Sequence, residues 1–140
     1  PRGRAGLRVN RADIARLLWR LWSPEWDFDE ATFLATANSF DNPDFVNVVI
    51  HSYRVRYGYA KPDPAYAEIE ARLAKAPDIR VPTINLHGLA DGVHPAPAKD
   101  RDAGRFTGPY ERRLLETIGH NIPQEAPAAF AGAVADLARR

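Results

Sequence analysis

The chain has no cysteine and no methionine, and no apolar run near the roughly 20 residues needed to cross a bilayer. The first absence excludes disulfides and thiolate metal sites. The lack of a long apolar run excludes a transmembrane helix, and no signal peptide leads the sequence. A cytoplasmic protein with no membrane partner is the expectation. Neither sign of charge dominates, with 19 Lys and Arg against 18 Asp and Glu and a net charge of +1. The arginines are spread along the chain, and Arg2, Arg4, Arg8 and Arg11 read as a solvated start. The basic stripe of a nucleic-acid binder is therefore missing. There is no glycine-rich phosphate loop, no internal repeat and no low-complexity tract. Much arginine, little lysine and abundant alanine fit a GC-rich bacterial coding sequence. A start at Pro1, in a chain without methionine, reads as a segment of a longer product.

What is present falls into two parts of different character. Residues 1–78 read as helical. Over residues 10–22, Ile14, Leu17, Leu18, Leu21 and Trp22 recur at the 3.6-residue period, with Asn10 as N-cap and Ser23-Pro24 as the stop. A second helix is expected from Asp29 to about Ser39, burying Phe33, Leu34 and Ala37. A third opens at Asn42-Pro43 and ends at Gly58, with Phe45, Val46, Val49 and Tyr53 on one face. Its β-branched run could argue for a strand; the proline start and helical neighbours decide for helix. Asp63-Pro64 caps a fourth, with Tyr66, Ile69 and Leu73 facing inward.

From residue 79 the pattern changes to strand, helix, strand, helix. Residues 81–88 form a short apolar run ending in glycine, the signature of a buried parallel strand. A short helix is expected within residues 94–106, a second strand over 110–118 and a last helix over 125–140, with Phe130, Val134 and Leu137 in register. Two parallel strands make a poor sheet on their own, so part of the sheet is expected to lie outside the sequence. Such an unpaired edge favours aggregation or a homodimer.

The chemistry concentrates at the two strand ends. In open α/β sheets, functional groups gather beyond the carboxyl ends of the strands. Asp91 follows the first strand within Gly88-Leu89-Ala90-Asp91-Gly92, and His120 follows the second within Gly119-His120-Asn121-Ile122-Pro123, 29 positions later. A carboxylate there can accept the imidazole Nδ1–H and leave Nε2 free to activate a nucleophile or a water. The nucleophile is missing. Ser23, Ser39 and Ser52 are the only serines, none stands in a G-x-S-x-G elbow, and no G-x-D-x-G occurs. His87, Asp91 and His94 with His120 could suggest a metal site, but Asp91 has a better partner in His120, and no metal or cofactor is expected.

Gly88-Leu-Ala-Asp91-Gly-Val-His-Pro95 resembles the acid-bearing loop of the α/β-hydrolase family. Gly119-His120-Asn-Ile-Pro-Gln-Glu125-Ala-Pro127 resembles its terminal histidine loop and the opening of its last helix. The resemblance covers residues 79–140 and implies that Asp91 is the triad acid and His120 the triad base. It implies an α/β fold in which a helical cap, residues 1–78, precedes the last two parallel strands and helices of an incomplete hydrolase core. Such caps occur in the haloalkane dehalogenase and epoxide hydrolase branch. His51-Ser52-Tyr53-Arg54 resembles the cap tyrosine–arginine pair of epoxide hydrolases, where the tyrosine hydrogen-bonds the departing oxygen. Trp22 and Trp26, among the aromatic residues of the first half, are candidates to line a pocket for a small hydrophobic substrate. The implied activity is hydrolysis of an ester, epoxide or halide through a covalent intermediate, with an upstream half supplying the nucleophile and these residues inactive alone. A non-catalytic, hydrolase-like ligand-binding or protein-interaction module is the alternative.

Overall fold

A computed structural model describes residues 2–140. They divide into two compact units: residues 2–17 with Phe28–Ala76, and Leu18–Asp27 with Pro77–Arg140. The sequence division at residue 78 lies close to the break between Ala76 and Pro77. The short stretch Leu18–Asp27, counted above with the helical part, joins the unit that contains the strands.

The helical unit holds α1 (Arg2–Val9), the first half of α2 (Arg11–Trp22), α3 (Glu30–Ala37), α4 (Phe45–Arg56) and α5 (Ala67–Ala74). Asp29 starts α3 by accepting the Thr32 amide at 2.7 Å, which satisfies one of the unpaired donors of a helix start. Phe33 is wholly buried beneath the Arg16 guanidinium, 3.9 Å above its ring, and Arg16 is held there by Glu30 through bonds of 2.5 and 2.8 Å. The β-branched run of α4 is helical and buries Val46. Gly58, at φ +74°, ends that helix and lets the Tyr59 and Ala60 amides fold back onto the Arg54 carbonyl.

Three expectations for these helices are corrected. Leu34 is exposed, and so are Tyr66, Ile69 and Leu73 on α5. Periodicity places those side chains on one face, but whether the face is covered depends on its neighbours. In α2, Leu17 and Leu21 are exposed while Trp19 is buried, because the chain turns after Ser23 and stacks Trp26 on Trp19 at 5.0 Å. The larger apolar surface takes the protected place.

In the other unit, β1 (Thr83–Gly88) and β2 (Tyr110–Leu115) form a two-stranded parallel sheet, in register from Thr83 opposite Tyr110 to Gly88 opposite Leu115. α6 (Ile122–Glu125) and α7 (Pro127–Ala138) pack against β1. Arg113 on β2 bonds Glu111 at 2.6 Å and Asp136 of α7 at 2.7 Å, joining strand to helix. Helices with a parallel strand pair make this an α/β chain. The final helix is interrupted at Ala126, ahead of Pro127, and its Phe130 and Val134 are exposed while Ala133 is buried.

The helix expected within residues 94–106 is absent apart from a 3₁₀ turn at Ala103–Arg105. Pro95 and Pro97 supply no amide donor, and Asp100 Oδ1 takes the Asp102 and Ala103 amides at 3.0 and 3.2 Å, closing a turn that competes with a helix. The segment is instead pinned to the sheet. Tyr110 donates its hydroxyl to Asp100 Oδ2 at 2.7 Å, and Arg112 bonds the Pro97 carbonyl at 2.7 Å.

Candidate active site

The register of the sheet decides the geometry of the site. Because β1 and β2 run side by side in one direction and end together at Gly88 and Leu115, the segments leaving them emerge at one edge. Leu89 N–H bonds the Leu115 carbonyl and Ala90 N–H the Ile118 carbonyl, both at 2.9 Å, so the two exits stay joined beyond the sheet. Asp91 Oδ2 and His120 Nδ1 meet there at 2.9 Å.

Each member of the pair is held separately. Asp91 Oδ1 accepts the Val93 and His94 amides at 2.7 and 2.9 Å, which fixes the carboxylate and leaves Oδ2 toward the ring. Burial alone would raise the Asp91 pKa. The His94 amide, the His120 ring and the Val93 amide together outweigh it and leave the carboxyl below its ordinary value. The Asp91 side chain is 12% exposed and that of His120 34%, so the acid is the more sheltered partner. With Nδ1 committed to Asp91, Nε2 is the nitrogen available for proton transfer. Trp22 meets the His120 ring edge-on at 5.3 Å, and His94 stands 6.0 Å away on another side.

A cleft of about 630 Å³ opens beside the pair, lined by Gly88, Asp91, His94, Arg101, His120 and Ile122 among others. The structure thus brings Asp91, His120 and Trp22 together. Trp22 braces the imidazole and is not part of the cleft wall; Trp26 stacks on Trp19 within the same unit. Tyr53 lies on α4 of the helical unit, half-exposed and stacked with Tyr57 at 6.3 Å. Among the described residues no cluster of three or more His, Cys, Asp or Glu side chains is arranged to hold a metal ion. Ser39 and Ser52 bond the backbone of their own helical segments, and Ser23 is buried with its hydroxyl on Glu125.

Sequence reasoning missed Ser23 and Glu125. Ser23 Oγ donates to Glu125 Oε1 at 2.5 Å across a separation of 102 residues. The only signal for this contact was Glu125 in the histidine motif; Ser23 looked like a helix stop.

Among solved structures, the chain is similar to the crystal structure of a "putative epoxide hydrolase" from Klebsiella pneumoniae subsp. pneumoniae MGH 78578, with 50% sequence identity and a TM-score of 0.92. The match covers 100% of this chain and 46% of that one, so the chain spans about half the length of the solved structure. No family model matches the sequence, and no curated protein does. The chain is α/β in structure and is similar over its whole length to about half of that protein.

Proposed function

We propose that the chain is the C-terminal portion of an α/β-hydrolase that opens a small hydrophobic epoxide, with Asp91 and His120 as acid and base. Ester and halide hydrolysis belong to the same chemistry, and the name of the similar structure favours the epoxide. The observation behind this reading is the 2.9 Å contact between Asp91 and His120 at the shared end of two parallel strands. In this reading residues 1–78 serve as the cap and residues 79–140 as the end of the core.

The role of each group follows from its surroundings. Asp91, held by two amides, keeps the proton of His120 on Nδ1 and stabilises the imidazolium once Nε2 takes a second proton. The nucleophile comes from outside residues 1–140. If it is a carboxylate, its oxygen attacks an epoxide carbon, the C–O bond opens, and the alkoxide takes a proton from solvent, to which His120 returns one at the end of the cycle, as a covalent ester forms. His120 Nε2 then takes a proton from water, the resulting hydroxide attacks the ester carbonyl, and the diol leaves as the carboxylate is restored. If it is a serine, the substrate is an ester: His120 Nε2 takes the hydroxyl proton as the serine oxygen attacks the ester carbonyl, passes it to the departing alcohol, and water then frees the acid from the acyl-enzyme in the same way.

The test is diol formation from styrene oxide by the whole encoded protein, wild type against His120→Gln. Wild type turns over, and the variant loses about 10³-fold or more in kcat. Residues 1–140 alone give no enzyme-like turnover of the epoxide or of a p-nitrophenyl ester. A folded whole protein that forms no diol, or a variant as active as wild type, contradicts the proposal.

A further inference from the structure

The loop that displays His120 is tied down by a polar lock built on Ser23 and Glu125, neither of which lines the cleft. Ser23 is 1% exposed, and its Oγ lies at the centre of the lock. It donates to Glu125 Oε1 at 2.5 Å and accepts from the His120 amide at 3.1 Å, from Asn121 Nδ2 at 3.0 Å and, longer, from the Asn121 amide at 3.4 Å. Glu125 Oε2 takes the Gly119 amide at 2.6 Å, and Oε1 also takes the Asn121 amide at 2.8 Å. Three successive amides, at residues 119, 120 and 121, thus end on Ser23 or Glu125.

The neighbouring residue extends the lock to the acid. The Trp22 carbonyl accepts the Gly92 amide at 3.0 Å and the His120 amide at 3.2 Å, so one peptide group spans the loop of each partner. Contact is close at both ends. A Cβ on Gly92 would stand 2.1 Å from the Leu21 carbonyl oxygen, and one on Gly119 would stand 2.5 Å from Ser23 Cα. A further stiff element lies just before the loop, where Thr117 holds φ at +60°, a conformation costly for a β-branched residue.

We propose that Ser23 and Glu125 are positioning residues that, with the Trp22 carbonyl, set the placement of the His120 ring against Asp91. The inference rests on the reading of Asp91 and His120 as acid and base. Neither Ser23 nor Glu125 lines the cleft, so both act through the backbone of the histidine loop. Their loss loosens the ring's position rather than substrate binding, and small misplacements of a catalytic base cost rate steeply.

The experiment follows the low-field imidazole N–H proton of His120 by NMR in the whole encoded protein, assigned by its loss in His120→Gln, alongside steady-state epoxide hydrolysis. Ser23→Ala and Glu125→Gln are expected to broaden that resonance through faster exchange with water. They should lower kcat about ten- to a hundred-fold while KM stays within about two-fold. Ser23→Cys keeps the size and a weak donor and should fall between wild type and Ser23→Ala; it replaces Ser23→Ala if the alanine variant does not fold. A folded Ser23→Ala protein with a sharp His120 resonance and unchanged kcat overturns the proposal. The resonance does not depend on turnover. A wild-type protein without hydrolase activity, whose resonance still broadens in Ser23→Ala, would sink the enzyme reading and uphold the lock.

Discussion

The two units respond differently to an imagined methyl group on their glycines. In the helical unit, a Cβ at Gly3, Gly6 or Gly58 would meet nothing within 4 Å. In the α/β unit Gly104 and Gly132 are equally open, but a Cβ at Gly88, Gly92, Gly108 or Gly119 would stand between 2.1 and 2.5 Å from the backbone of another segment. The helical unit is held by side chains, above all the wholly buried Phe33 under Arg16. The α/β unit is held around its site by backbone against backbone, an approach a side chain would block. That difference suits the chemistry proposed for Asp91 and His120. A base that must stand within hydrogen-bond reach of its acid is better fixed by short backbone contacts than by long, flexible side chains.

Substitutions in both units sharpen the contrast. Phe33→Ala should remove about 3–5 kcal/mol from the helical unit, read as a shift in the urea midpoint. A loss below about 1 kcal/mol would show that α3 does not rest on that ring. Gly119→Ala should cost about 1–3 kcal/mol by forcing the histidine loop away from Ser23, and activity should fall further than the stability loss explains. Gly6→Ala, in the open middle of α1, should instead stabilise by about 0.5–1 kcal/mol. If the two glycine variants change stability in the same direction, the comparison between the units is broken.

The pH dependence of the Asp91 contribution has a fixed sign. Its carboxyl titrates below its ordinary value in the folded chain, so the stability it adds is present above the unfolded pKa, about 3.9, and is lost as pH falls through the folded value. Wild type and Asp91→Asn should therefore differ most in urea midpoint near neutral pH and converge in acid below about pH 4. A gap that widens on acidification would mean that Asp91 is not held as an anion.

Asp91 and His120 were legible because both motifs are local in sequence and each follows a strand of recognisable pattern. The parallel register then does the rest, since two neighbouring strands that end together bring their exits together. Ser23 was not legible. Its partner lies 102 residues away, and its neighbours Trp22 and Pro24 describe only the end of a helix. Trp22 was found for a different task, as a pocket wall, and the structure sets it against the imidazole. The helices were placed well at their starts, where Asp29 and Asp63 accept amides two or three residues on. The failures over burial share one cause. On α5, and at Leu17 and Leu21 of α2, an apolar stripe shows which residues share a face and says nothing of what lies opposite. The missing helix before β2 failed for a local reason, since prolines and the Asp100 turn withdraw the amides a helix would need.

The account rests most heavily on the proton that Asp91 holds on His120 Nδ1. Its most direct test is the kcat for diol formation by the whole encoded protein, wild type against Asp91→Asn, at matched folded fraction. An amide in place of the carboxylate should lower kcat by about 10³-fold or more, with KM within a few-fold, because the ring loses both its tautomer and the charge that stabilises its protonated form. A folded Asp91→Asn protein that forms diol at the wild-type rate would contradict the account.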